Sequence, residues 1–211
     1  VGRMDPLLQS LFDSVPQPAL RTEAVPVPRA LGRVYAGLAR DGLRVGDALT
    51  PRQIGQLAAT GQARVEVHPR PTVAVFSFGD ALLQAGEPLT EGRVHDVASP
   101  MLQALLAEQR IESLAWPALP QHPERIDAAL GDALDSFDLV LLSATEAAAP
   151  ILSERLPRFG VPMPSVEGAP RAWRSSRARL LWLDSEPEAL LCQFAGWVAP
   201  TIAALQYRGR V

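Results

Sequence analysis

Apolar residues fall into two alternating textures along most of this chain. Nearly unbroken apolar runs stand at 72–77, 138–143 and 180–183, and 111–116 also reads as a strand. Runs of this length, with no polar alternation, are what strands buried on both faces require. Between them, apolar residues recur three and four positions apart, the spacing of one helical face. Ser99-Pro100 opens such a stretch, with Leu102, Leu105 and Leu106 inward, and Pro123 opens another, with Ile126, Leu130 and Leu134 inward. A further helix is expected over 146–158, and Pro187 begins a long last one reaching 205. Strands alternating with amphipathic helices predict an α/β fold, three-layered, with a mainly parallel sheet flanked by helices. Ligands of such sheets sit outside the C-terminal strand ends. The loops that begin at Ser77, Ser143 and Leu183 are therefore where a site is expected.

Residues 4–70 have another texture, and they predict a small helical N-terminal segment and linker ahead of an α/β domain at 71–211. Leu7, Leu8, Leu11 and Phe12 line one face of a short helix. The Pro-rich passage 16–28 cannot continue it. A second short helix is expected at 30–36. Thr50-Pro51-Arg52-Gln53 is a strong helix start: Thr50 as N-cap, Pro51 in the first helical position, and Gln53 placed to complete a capping box. That helix should end at Gly61, and 63–67 alternates as an edge strand would. Segment 161–179, rich in Pro, Arg and Ser, reads as a long surface loop or a short hairpin.

Composition narrows the function. At 211 residues and 47% hydrophobic, the chain can bury a substantial core. A net charge of −3 with interspersed signs and no basic stripe argues against nucleic acid as a partner. No unbroken apolar run approaches the roughly 20 residues of a membrane helix, and no apolar leader core is visible. The expectation is a cytoplasmic protein without a membrane partner. Cys192 is the sole cysteine, which excludes an internal disulfide and a cysteine metal site; it is expected to be a buried small apolar residue. His68, His95 and His122 lack ligand spacing, and no Ser/His/Asp, Cys/His or Walker-type constellation stands out.

The loops themselves carry a resemblance. The segment from Pro71 through Phe76-Ser77-Phe78-Gly79-Asp80-Ala81-Leu82 resembles the strand and turn P-R-V-A-V-x-S-T-G-D-E-L of the molybdopterin molybdenumtransferase family. Gly86-Glu87-Pro88-Leu89 and Gly92-Arg93-Val94-His95-Asp96 resemble its G-x-P-L and G-Q-I-x-D. Asp138-Leu139-Val140-Leu141-Leu142-Ser143 is similar to its D-L-V-I-T-S, and Ala30-Leu31-Gly32-Arg33-Val34 to its A-L-G-R-V. The order and spacing hold across nearly the whole chain. The resemblance also implies a domain inserted between Ala36 and Asp41 and a β-barrel after Tyr207; these 211 residues hold neither.

What the resemblance implies about chemistry is mixed. Its ligand would be molybdopterin or adenylated molybdopterin, with Mg²⁺ as a further expected cofactor. The matching positions are Ser77, Gly79, Asp80, Ser143, Thr145 and Gly168 for the pterin ligand, and Asp80 and Asp96 for the metal. Trp173, flanked by Arg171 and Arg174, would either stack a pterin ring or cover the core. Much of the family pattern is altered. Its S-G-G turn reads Ser143-Ala144-Thr145, its following serine and aspartate read Ala147 and Ala149, its P-G-K-P reads Glu167-Gly168-Ala169-Pro170, and the glutamate after Asp80 is Ala81. Alanine and β-branched threonine resist the positive φ that glycine allows, so the 143–145 turn should follow another path or hold a phosphate farther away. The later P-G-N-P reads Asp184-Ser185-Glu186-Pro187, two acids that would cap the helix themselves. The expectation is a divergent molybdopterin-binding protein with weak or no molybdenum insertion. An active transferase and a non-catalytic scaffold are the alternatives. The apolar faces at 6–12 and on the last helix, at Phe194, Trp197, Val198 and Ile202, predict a homodimer.

Overall fold

A computed structural model of the chain describes residues 22–39 and 42–206; the expected helix at 6–12 lies outside them. The described residues form two compact units, one at 71–202 and one comprising 22–70 with 203–206.

In the smaller unit, β1 (Glu23–Pro26), β2 (Val34–Tyr35) and β3 (Arg64–His68) form an antiparallel sheet in the order β1-β3-β2. The helix α1 (Pro51–Ala59) starts where its signals place it: Gln53 N donates to Thr50 Oγ1, and Thr50 N donates to Gln53 Oε1 at 2.8 Å. Leu57 of α1 joins Val27, Tyr35, Leu43, Leu49, Val65 and Val67 in a small core. Two expectations fail here. Residues 30–36 are not a helix: Gly32 takes φ 70°, and Val34 and Tyr35 pair with His68 and Val67. Nor is β3 an edge strand. Buried Val65 and Val67 alternate with exposed Arg64 and Glu66, a pattern that reports one covered face and says nothing of neighbours. Residues 22–70 thus add a three-stranded sheet to the helix that was expected.

The larger unit holds β4 (Val73–Phe78), β5 (Leu82–Leu83), β6 (Val94–His95), α2 (Ala98–Glu108), β7 (Ser113–Ala115), α3 (Pro123–Ser136), β8 (Leu139–Ala144) and α4 (Ala149–Arg155). After them come β9 (Val161–Pro162), β10 (Arg171–Arg174), β11 (Arg179–Trp182) and α5 (Pro187–Gln193), which continues through a π-helical turn at Phe194–Val198 into α6 (Ala199–Gln206). The six-stranded sheet runs β7-β4-β8-β11-β10-β9. Its first four strands are mutually parallel and are the four strands expected from the sequence; β10 is antiparallel to both its neighbours. Segment 161–179 is therefore strand-forming and extends the sheet. The fold is α/β with a mainly parallel central sheet flanked by helices, as the periodicity predicts.

Every residue of β4 is buried, as are Leu139 to Ser143 of β8, which accounts for their lack of polar alternation. Phe76, Ile126, Leu130, Leu142, Leu152 and Trp182 belong to one core cluster. Trp116 stacks on Phe76 with ring centroids 4.6 Å apart. Trp173 is in the same cluster, 7% exposed and stacked on Trp182, so it covers the core. Cys192 is exposed, against expectation. The continuous helix at Pro187–Gln206 has the length and mean hydropathy, 1.3, of a membrane span. In this fold Leu190, Phe194, Val198 and Ile202 are buried.

Candidate functional site

The two central strands bring their C-terminal ends together. Ser77 pairs with Ser143 and Phe78 with Ala144 across the β4–β8 ladder. Ser99, in the first turn of α2, completes a buried trio: Ser77 Oγ lies 2.7 Å from Ser99 Oγ and 3.2 Å from Ser143 Oγ. All three side chains are buried, so these hydroxyls satisfy one another and tie both strands to α2. Neither Ser77 nor Ser143 presents its hydroxyl to solvent.

Beyond Ser77 the chain is bound along its flank by residues 119–121. Leu119 N donates to Ser77 O at 2.8 Å, Gly79 N donates to Leu119 O at 3.0 Å, and Gln121 N donates to Asp80 Oδ1 at 2.9 Å. Beyond Ser143, Thr145 N donates to Phe78 O at 3.0 Å, and Thr145 O accepts from Ala148 N and Ala149 N at 3.0 and 3.1 Å. Arg110 is the one non-glycine residue with positive φ among the described residues, so the 143–145 turn does take a path different from a glycine turn. It also lies directly against the neighbouring loop. Gly79 has φ 150°, and a Cβ on it would stand 2.6 Å from Thr145 Oγ1 and 2.7 Å from Thr145 Cγ2. Thr145 Oγ1 is buried and finds no hydrogen-bond partner among the described residues.

The remaining expected positions are dispersed. Asp96 Oδ1 accepts from Ser99 N at 3.1 Å and so holds the start of α2. Gly168, at φ 76°, sits on the exposed connection between β9 and β10, where Ala169 N donates to Val166 O. Ala189 N donates to Glu186 Oε2 at 2.8 Å, and Glu186 N to Asp184 Oδ1 at 3.0 Å. Glu186 caps α5, as expected, with Asp184 holding the amide of the cap residue, and the two acids occupy a helix end that would otherwise favour an anion.

The described residues offer no ready-made metal cage of their own. Among the described residues no group of three or more His, Cys, Asp and Glu side chains stands close enough to hold a metal ion. Asp80 and Asp96 each spend a carboxylate oxygen on a backbone N–H. His95 Nε2 is 2.9 Å from Glu87 O, and His122 is exposed at the start of α3.

Sequence reasoning missed two contributors. Ser99 reads as a helix opener, and nothing in its spacing signals a buried hydroxyl facing Ser77. The 119–121 segment carries no periodicity at all, although it supplies the partners of Gly79 and Asp80.

The mainly parallel α/β sheet, with its helices and strand-end turns, has the fold of solved molybdopterin biosynthesis proteins. Superposition bears this out. A molybdopterin biosynthesis MoeA protein of Pyrococcus horikoshii matches 97% of this chain and 80% of its own, with TM-score 0.77 at 14% identity. A molybdenum cofactor biosynthesis protein of Pyrococcus furiosus matches with TM-score 0.63 over 95% of this chain and 69% of its own, at 21% identity. In sequence, the chain is 28% identical over 170 residues to molybdopterin molybdenumtransferase 1 of Mycobacterium tuberculosis, covering 76% of this chain and 40% of that protein. It is 30% identical over 95 residues to the molybdopterin molybdenumtransferase of a Nostoc species, covering 45% of this chain and 22% of that one. The chain therefore matches two fifths or less of the length of these two curated relatives. No protein-family model matches it. The resemblance read from the motifs stands: the fold is MoeA-like, and the sequence is similar to molybdopterin molybdenumtransferases.

Proposed function

We propose that this protein serves molybdenum cofactor biosynthesis by binding molybdopterin or its adenylated form, with weak or no molybdenum insertion. Sequence similarity to named molybdenumtransferases supports the pathway. One observation supports the loss of catalysis: the strand ends are already satisfied from within. Gly79 N and Thr145 N both donate to main-chain carbonyls, and the helix start at 187 is capped by Glu186. The lysine of the family loop is Ala169, so a cation is missing as well. Each missing donor or charge in a preorganised site costs about 10²–10³ in rate. Rescue of a strain lacking its molybdenumtransferase tests this, and near-normal rescue overturns it.

The proposed ligand surface runs over 77–80 and 143–146 at the strand ends, with Gly168 expected at its margin. Magnesium enters only as an ion carried on the ligand phosphate, with Asp80 as its single protein carboxylate and water completing the octahedron. Calorimetry with isolated molybdopterin, with and without Mg²⁺, checks both statements. The internal satisfaction of the strand ends also favours a second reading, a scaffold that keeps the fold without the ligand; absence of molybdopterin binding would select it.

The same proposal includes a cytoplasmic location, tested by cell fractionation, and a homodimer. Of the final-helix residues expected to offer spare apolar surface, Phe194, Val198 and Ile202 are buried and Trp197 is half-buried; Leu191, not among those expected, is 45% exposed. Light scattering should give twice the 22.7 kDa of one chain; a mass near one chain overturns the dimer.

A further inference from the structure

We propose that Thr145 limits how closely an anionic ligand can approach the strand ends: its side chain fills the space that Gly79 leaves open. This inference rests on the proposed molybdopterin-binding reading and names what controls that site. A glycine at a parallel strand end lets a ligand approach the main chain closely, because no side chain stands in the way. At Gly79 that space is occupied by a neighbour. Thr145 Oγ1 and Cγ2 lie where the first atoms of a Gly79 side chain would be, at 2.6 and 2.7 Å from its Cβ position. The threonine gains no hydrogen bond there, since Oγ1 is buried and unpartnered among the described residues. An unpartnered buried hydroxyl is costly, so its position is imposed by the turn. Thr145 N is tied to Phe78 O, and Thr145 O to the amides of Ala148 and Ala149, which fixes the main chain from which the side chain projects. A ligand group approaching the Gly79 main chain from that side meets the γ atoms of Thr145 first.

The test is calorimetric binding of isolated molybdopterin, with inorganic phosphate as a smaller probe, to the unaltered chain and to three variants. Thr145→Gly should bind molybdopterin about tenfold tighter or more. Thr145→Ala, which removes both γ atoms without loosening the turn, should gain in the same direction and covers the case in which Thr145→Gly does not fold. Adding Gly79→Ala to either variant should abolish the gain by refilling the space. If the unaltered chain binds and neither Thr145 variant binds tighter, the gate is overturned while the binding reading stands. A gain that survives Gly79→Ala also overturns it. If the Thr145 variants bind and the unaltered chain does not, the gate is supported and the binding reading falls for the native protein. If none of the four binds, both fall.

Discussion

Strands β4 and β8 are partners residue for residue, from Val73 with Leu139 to Phe78 with Ala144, yet their C-terminal turns are built by opposite means. β4 leaves the sheet through Gly79 and Asp80, and both are held by the 119–121 segment. β8 leaves through Ala144 and Thr145, without glycine, and its turn bonds back to Phe78 O. The strand interiors need only apolar volume, which many residues supply. The turns need particular backbone angles and particular donors, which few residues supply. Divergence from the family pattern is accordingly concentrated in the turns, while the strand interiors remain recognisable.

This contrast is sharpened first by the interior. Leu141→Ala, at a fully buried position of β8, should destabilise the fold by about 2–5 kcal/mol through the cavity it leaves. Denaturant unfolding measures it, and a cost below that of the turn substitutions would break the contrast. Next comes Gly79→Ala, expected to cost about 1–3 kcal/mol from its strained φ, with a further contribution from the Thr145 contact. In a Thr145→Gly background that further contribution should vanish, and a double-mutant cycle reads the coupling directly. Perfect additivity would mean the two turns do not press on each other.

Ser77→Ala follows, at about 1–2 kcal/mol, because it leaves the buried hydroxyls of Ser99 and Ser143 without their shared partner. Thermal unfolding of Ser77→Ala against Ser77→Cys checks that hydrogen bonding is what is lost. The smallest effect belongs to the helix start at 187. Glu186→Ala should cost about 1 kcal/mol by removing the acceptor for Ala189 N. Glu186→Ser should recover most of it, and full tolerance of the alanine would show that the acid does not act as a cap.

How far these features could be read in advance follows the same divide. Three of the four parallel strands, β4, β8 and β11, were legible because each is buried on both faces and so appears as a nearly unbroken apolar run; β7, half-exposed, was legible only as a short apolar-rich segment between two helices. The start of α1 was legible because capping chemistry is local, contained in Thr50 to Gln53. The self-capping of α5 by Glu186 was legible for the same reason. Residues 30–36 misled because their apolar spacing suits a short helix, whereas Val34 and Tyr35 are drawn into pairing with a strand more than thirty positions later. The β5–β6 pair, two residues in each strand, is too short to leave any periodic trace. Cys192 misled because an apolar helix gives no indication of which face its fold will cover.

The sequence by itself determined the α/β class, the parallel strands and their flanking helices, the strand-end loops, and the residues that stand where the resembled family pattern has glycine and lysine. Each of these depends on the period of apolar residues or on the identity of a single residue. Only the tertiary structure decided that β3 is central, that Ser77, Ser99 and Ser143 share one buried network, and that Thr145 stands over Gly79. These are contacts between residues 22 to 66 positions apart, or neighbour relations between strands. Local propensity carries no term for them, because such pairs meet only after the sheet has assembled around its core.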